Sequence, residues 1–216
     1  MSFAALIFDL DGTLLDTLED LADSMNTALA EAGYPVHTKE AYRYFIGDGI
    51  ENLVRRALPE AARDQTNVTR NMAAMEEVYG QRWNLKTKPY AGVPELLDAL
   101  SQRQIPQAIL SNKPDPFTQL TVSELLPQWS FAPIRGARPD TPRKPDPAGA
   151  LLIAAELGLD PGSCLYVGDT DTDMQTANRA GMYALGATWG FRTGEELRQS
   201  GAQVLLDKPL DLLDLL

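Results

Sequence analysis

The stretch "AALIFDLDGTLLDT", residues 4–17, decides how the rest of the chain is read. An apolar run ends in two carboxylates one residue apart, Asp9 and Asp11, and then in a glycine. A short apolar run closed by a turn signal fits a strand buried on both faces. Carboxylates placed so close repel each other, and a carboxylate at the edge of an apolar core loses hydration. A plain strand and turn would explain the glycine but offers nothing to offset that cost.

Further apolar runs end in the same abrupt way: "AIL" before Ser111, "CLYV" before Gly168, "YALGAT" at 183–188 and "VLL" before Asp207. Between most of them lie segments with helical spacing. Residues 94–103 carry Leu96, Leu97 and Leu100, and residues 147–158 carry Ala150, Leu151, Ala154 and Leu157 before Gly158. The alternation predicts an α/β fold with a doubly wound parallel sheet, a Rossmann-like core. In such sheets ligands bind beyond the carboxyl ends of the strands, so the polar residues that close the runs should gather at one edge.

Residues 17–85 break the alternation. Leu18, Leu21, Ala22, Met25, Ala28, Leu29 and Ala32 form a helical stripe, with Thr17 and Asp20 spaced as a capping box and Gly33 as its end. A second helix fits residues 50–58, stopped by Pro59, and a third fits 67–82, where Val68, Met72, Met75 and Tyr79 share a face. The chain is expected to divide into a catalytic core, residues 1–15 and 87–216, and an inserted helical cap, residues 16–86. Met25, Met72 and Met75 read as cap core, and Asp16 as a cap or hinge of the insertion. His37, in a polar connection, reads as a surface residue, and the tail "PLDLLDLL" as a final helix docked on the core.

The chain has 216 residues, 44% of them apolar, and a net charge of −11. That balance argues against a general nucleic-acid or anionic-membrane binder, which needs a basic face. It leaves room for a small anionic substrate where a metal or a local cation reverses the field. Cys164, the single cysteine, lies in "SCLYV" and reads as a small buried side chain, which fits a reducing compartment. The first apolar run is cut at Asp9, and "AGALLIAAELGL" is too short to span a bilayer. The expectation is a cytoplasmic monomer or homodimer with no membrane or nucleic-acid partner.

Four stretches converge on the predicted edge: "DLDGT" (9–13), "LSN" (110–112), "RKPDP" (143–147) and "GDTDTD" (168–173). They bring Asp9, Asp11, Asp169 and Asp173 together with the hydroxyl of Ser111 and the ammonium of Lys144. Carboxylates clustered with few cations point to a hard divalent metal. Magnesium takes one or two carboxylates plus phosphate oxygens, and it would offset the repulsion between Asp9 and Asp11. Asp9 would then be placed to attack phosphorus. Residues i and i+2 of an extended chain point the same way, so Asp11 can serve the leaving-group oxygen as acid and then base. Ser111, with Asn112 beside it, and Lys144 would bind the phosphate oxygens, and the amides of Gly12 and Thr13 would add donors.

In order and spacing these stretches resemble the four motifs of the haloacid dehalogenase superfamily of magnesium-dependent phosphatases, and the resemblance covers nearly the whole chain. It implies that Asp9 is the nucleophile and Asp11 the acid/base, with the Asp11 backbone carbonyl also on the metal. Ser111 and Lys144 then belong to the second and third motifs, Asp169 is a metal carboxylate, and Asp173 is a further ligand or its support. The insertion resembles the cap of one large subgroup. "YFIGDGIENLVRRAL", "PYAGVPELLDAL", "LSNKP" and "KPDP" resemble phosphoglycolate phosphatases, although pyrophosphatases and other small phosphatases share them.

The implied activity is hydrolysis of a small phosphorylated metabolite, 2-phosphoglycolate before pyrophosphate and other esters. A phosphomutase of the same superfamily stays open. A dehalogenase is disfavoured by Asp11, having no ester oxygen to protonate. A phospho-accepting receiver domain is disfavoured by the insertion and by the Asp9–Asp11 pairing. For substrate choice the candidates are the cap loop Gly47, Asp48 and Gly49 and the cation Arg55, with Arg56 beside it.

Overall fold

Strand β1 (Ala5–Phe8) is buried along its whole length and lies at the centre of a six-stranded sheet. The computed structural model describes residues 3–216, so residues 1–2 of the expected core lie outside the described residues. The chain forms two compact units, Met1–Leu15 with Pro89–Leu216, and Asp16–Lys88.

In the first unit β1 is joined by β4 (Gln107–Pro114), β5 (Ile134–Ala137), β6 (Cys164–Gly168), β7 (Tyr183–Ala187) and β8 (Val204–Leu206). The short strands β2 (Leu15–Asp16) and β3 (Lys88–Pro89) pair separately, where the chain leaves and re-enters this unit. The large sheet runs β5-β4-β1-β6-β7-β8, and every neighbouring pair is parallel. Alternate residues feed opposite faces. Leu6, Phe8, Leu165 and Val167 join one buried cluster, and Ala5, Ile7, Cys164 and Tyr166 join the other. Helices α5 (Val93–Gln102) and α6 (Asp115–Leu125) supply Leu97 and Val122 to the first cluster. Helices α7 (Ala148–Leu157), α8 (Asp171–Ala180) and α9 (Gly194–Gln199) supply Ile153, Met174 and Leu197 to the second. Both faces are covered, which is why the strands read as continuous apolar runs.

The chain winds outward from β1 through β4 and β5, then returns to the other side of β1 with β6. The switch point therefore falls between β1 and β6, where Asp9 and Asp169 leave their strands.

Three elements of this first unit differ from expectation. Strand β4 does not stop before Ser111 but continues to Pro114 through an irregular register. Strand β5 is half-buried along its length and carries Arg135 and Gly136, so no apolar run announces it. The tail is a 3₁₀ helix, Pro209–Leu215, that buries Leu212 in the first cluster.

The second unit holds α1 (Leu18–Glu31), α2 (Lys39–Phe45), α3 (Ile50–Ala57) and α4 (Gln65–Arg82). Met25, Leu29, Tyr42, Val54 and Met75 are fully buried, while Met72 is half-buried. Helix α2 lacks an apolar stripe and was not expected. The capping box does not form at α1: Thr17 makes no side-chain cap, and Asp20 turns instead to Lys86 N–H, Thr87 N–H and Thr87 Oγ1, all on Oδ2 at 2.8–2.9 Å. His37 is half-buried rather than on the surface, its Nε2 lying 2.7 Å from Ala57 O and its ring edge-on to Phe45. No helix among the described residues is long and apolar enough to cross a membrane.

Candidate active site

The carboxyl ends of β1, β4 and β6 bring one cluster together. Oxygens of Asp9, Asp169 and Asp173, all buried, lie within 4.8 Å of one another. Asp9 is fixed at the end of β1 by its N–H to Val167 O at 2.9 Å. Asp169 follows β6; its Oδ1 accepts from Thr13 Oγ1 at 2.9 Å and its Oδ2 from Phe191 N–H at 2.8 Å. Asp173 sits in the first turn of α8 and closes a capping box with Thr170.

Lys144 ties the cluster together. Its Nζ donates to Asp173 Oδ1 at 2.7 Å and Leu110 O at 3.0 Å, and lies 2.9 Å from Asp9 Oδ1. The approach to Asp9 is off the hydrogen-bonding direction, so Asp9 Oδ1 is buried without an aligned donor. With all three acids ionised, three negative charges face one ammonium, leaving two uncompensated. Burial, and then the neighbouring Asp173 charge, raises the Asp9 carboxyl to about 7 against the pull of Lys144. Burial with Asp173 and Asp9 raises Asp169 well above the carboxylate range. Lys144 is held well above its ordinary value because Asp173 and Asp9 outweigh its burial.

Such a charge deficit fits a divalent cation. The available ligand atoms are on Asp9 and Asp169. The two Asp173 oxygens already face four donors, Lys144 Nζ and Tyr166 OH on Oδ1, and Thr170 N–H and Oγ1 on Oδ2. A carboxylate has about four lone-pair sites, so Asp173 is filled by the protein itself.

Asp11 lies outside this cluster. Its carboxylate pairs with Lys113 Nζ at 3.1 Å and is more open to solvent than Asp9. Lys113 was missed in the sequence. Its one signal is position, two residues past Ser111 on the same strand and so on the same side. Ser111 is buried, and its Oγ accepts from Lys113 N–H at 3.2 Å, which leaves its own O–H free to donate.

Two phosphate-side expectations need correction. Gly12 N–H is already donated to Leu15 O at 2.8 Å, and Thr13 N–H makes only a long 3.4 Å bond to Leu10 O. Thr13 reaches the site instead through its hydroxyl on Asp169. The Asn112 side chain is spent on the backbone of Lys144, accepting its N–H at 2.9 Å and donating to its carbonyl at 3.0 Å. It clamps the lysine.

In the second unit, Gly47 and Gly49 take φ of +124° and +86°, a loop that glycine accommodates best. Asp48 pairs with Arg56. Arg55 is committed to Glu51 Oε1, Gln65 Oε1 and Arg63 O, each at 2.9 Å.

Comparison with known proteins agrees with this arrangement. The family model of haloacid dehalogenase-like hydrolases matches residues 6–187. The phosphoglycolate phosphatase of Pectobacterium atrosepticum is 34% identical over 217 residues, covering 98% of this chain and 91% of that protein. That of Pseudomonas putida is 32% identical, covering 94% of this chain and 75% of that protein. A solved structure from Lactobacillus delbrueckii subsp. bulgaricus, described provisionally as a phosphoglycolate phosphatase, superposes with a TM-score of 0.92 at 32% identity, over 100% of this chain and 98% of that one. The chain belongs to the haloacid dehalogenase-like hydrolase family.

Proposed function

We propose that the protein is a magnesium-dependent phosphomonoester hydrolase that works through an aspartyl-phosphate on Asp9, with 2-phosphoglycolate as its substrate. The observation that carries the reading is the contrast between two carboxylates two residues apart. Asp9 is buried with one oxygen lacking an aligned donor, whereas Asp11 is more open and paired with Lys113. Lys144 beside Asp9 favours its ionised, nucleophilic form, whereas the more open Asp11 can exchange protons with solvent and substrate.

Asp9 attacks phosphorus through a carboxylate oxygen while the P–O bond to the ester oxygen breaks. Asp11 gives its proton to that departing oxygen, so the alcohol leaves neutral. It then takes a proton from water as the water attacks phosphorus, which breaks the Asp9–phosphate bond and releases inorganic phosphate. Lys144 holds Asp9 and balances its charge, and Lys113 keeps Asp11 oriented. The Ser111 hydroxyl donates to a phosphate oxygen. Asp9, Asp169 and the Asp11 carbonyl would hold the magnesium, with Asp173 fixing Lys144 beside them. The ion, when bound, supplies positive charge against the phosphate oxygens.

Relatives that bear the name phosphoglycolate phosphatase, covered over 75% and 91% of their length, support the choice of substrate. The lone, buried Cys164 agrees with a cytoplasmic enzyme.

The test is turnover of an aryl phosphate and of a panel including 2-phosphoglycolate, pyrophosphate and sugar phosphates, with magnesium and with chelator. Hydrolysis should require the metal, 2-phosphoglycolate should give the highest kcat/KM, and Asp9→Asn should lower it on the order of a thousandfold or more. Full activity in chelator, or near-normal turnover by Asp9→Asn, would overturn the mechanism. A better substrate in the panel would overturn the substrate alone.

A further inference from the structure

A shallow groove open to solvent lies beside the candidate active site and is lined by Ser111, Arg135, Arg138, Arg143, Lys144 and Asp146, among others. Four cations and one acid face it, in a chain whose net charge is −11. Two of the cations are neutralised. Arg138 pairs with Asp115 at 2.9 Å, and Lys144 with Asp173 and Asp9. Two donors are left over. Arg135 binds Glu156 at 2.6 Å through Nη2, but its Nε is buried without an acceptor. Arg143 is exposed and has no ion-pair or hydrogen-bond partner for its side chain among the described residues. Asp146 forms no ion pair with it among the described residues, and its Oδ1 accepts from Ala148 N–H at the start of α7.

A buried guanidinium N–H without an acceptor is costly, and an unpaired guanidinium beside it presents the fork that carboxylate and phosphate oxygens match. We propose that this groove is an oxyanion subsite, with Arg143 and the Nε of Arg135 as its donors. The ligand is the carboxylate of the substrate or a free oxyanion such as inorganic phosphate. The first source rests on the phosphatase reading above. In 2-phosphoglycolate a methylene and the ester oxygen alone separate carboxylate from phosphorus, so a site for the carboxylate must adjoin the phosphate site. Ser111 lines both. The cap arginines Arg55 and Arg56, by contrast, are engaged with groups of their own unit.

The experiment compares wild type with Arg143→Gln and Arg135→Gln in two arms. The first measures kcat/KM for 2-phosphoglycolate relative to an aryl phosphate, which has no carboxylate. The second measures by calorimetry how many inorganic phosphates bind per chain. If the substrate carboxylate is the ligand, the ratio of the two kcat/KM values falls about tenfold or more in each variant, through KM for 2-phosphoglycolate. If a free oxyanion is the ligand, the ratio holds and the stoichiometry falls from two to one. An unchanged ratio with unchanged stoichiometry overturns the subsite. Should wild type hydrolyse no phosphate ester, the phosphatase reading fails, and the calorimetric arm still decides the subsite.

Discussion

Gly12 shows how tightly the site is built. Its φ is +92°, and a Cβ there would lie 2.3 Å from Asp169 Oδ2 and 2.7 Å from the Phe191 ring. Both the conformation and the space demand glycine. Gly12→Ala must displace either the loop after β1 or the Asp169 carboxylate. We expect it to cost about 1–3 kcal/mol of stability and to weaken magnesium binding at least tenfold, read by thermal unfolding and by metal titration. An unchanged titration would separate Gly12 from the metal carboxylate. At this scale the residues legible in the sequence were those that close an apolar run, because burial makes a polar residue there conspicuous. Asp9, Ser111 and Asp169 are of this kind. Apart from Lys144, the partners of the site carboxylates were not legible. Thr13 Oγ1 reaches Asp169 across 156 positions, and Lys113 reaches Asp11 across 102. The Phe191 donor is a backbone N–H, which carries no residue signature at all.

Among the elements, strands β1, β6, β7 and β8 were legible because apolar side chains persist through them. Strand β5 and helix α2 escaped because they bury little, with Tyr42 the one buried residue of α2. The start of α1 was misread for a different reason. Thr17 and Asp20 have capping-box spacing, yet three donors from Lys86 and Thr87 outcompete the local N–H for Asp20 Oδ2. Three charge-assisted hydrogen bonds on one carboxylate outweigh the one that the local N–H could offer, so the distant partners win. This gives a paired prediction. Asp20→Ala should destabilise by about 2–4 kcal/mol and speed amide exchange at Lys86 and Thr87. Thr17→Val should be neutral or slightly stabilising, because the Thr17 hydroxyl is buried with no partner to lose. Equal losses from the two variants, measured by denaturant unfolding, would restore the capping-box reading.

For the whole molecule, the densest concentration of negative charge is buried, and that sets how stability depends on pH. Burial and Asp173 raise Asp9 to about 7, and burial with Asp173 and Asp9 lifts Asp169 well above its ordinary value. Between about pH 4 and these raised values the folded chain keeps protons that the unfolded chain has released. Stability from these two acids is therefore present at the acid end of the window and declines as pH rises through it. Asp64 and Glu196 run the other way. Hydrogen bonds from Asn67 lower Asp64 and those from Thr193 lower Glu196, so their contribution fades only below about pH 4.5. In chelator, the melting temperature should thus fall between about pH 5 and 7, reflecting a loss on the order of a few kcal/mol. A divalent cation takes only the ionised carboxylates, so magnesium should raise the melting temperature more at pH 7.5 than at pH 5.5. Asp9→Asn removes one of the two groups that set the slope, and it should flatten the chelator curve and shrink the magnesium effect. Scanning calorimetry of both proteins across this range checks the account, and a metal-free melting temperature that climbs equally in wild type and variant would refute it.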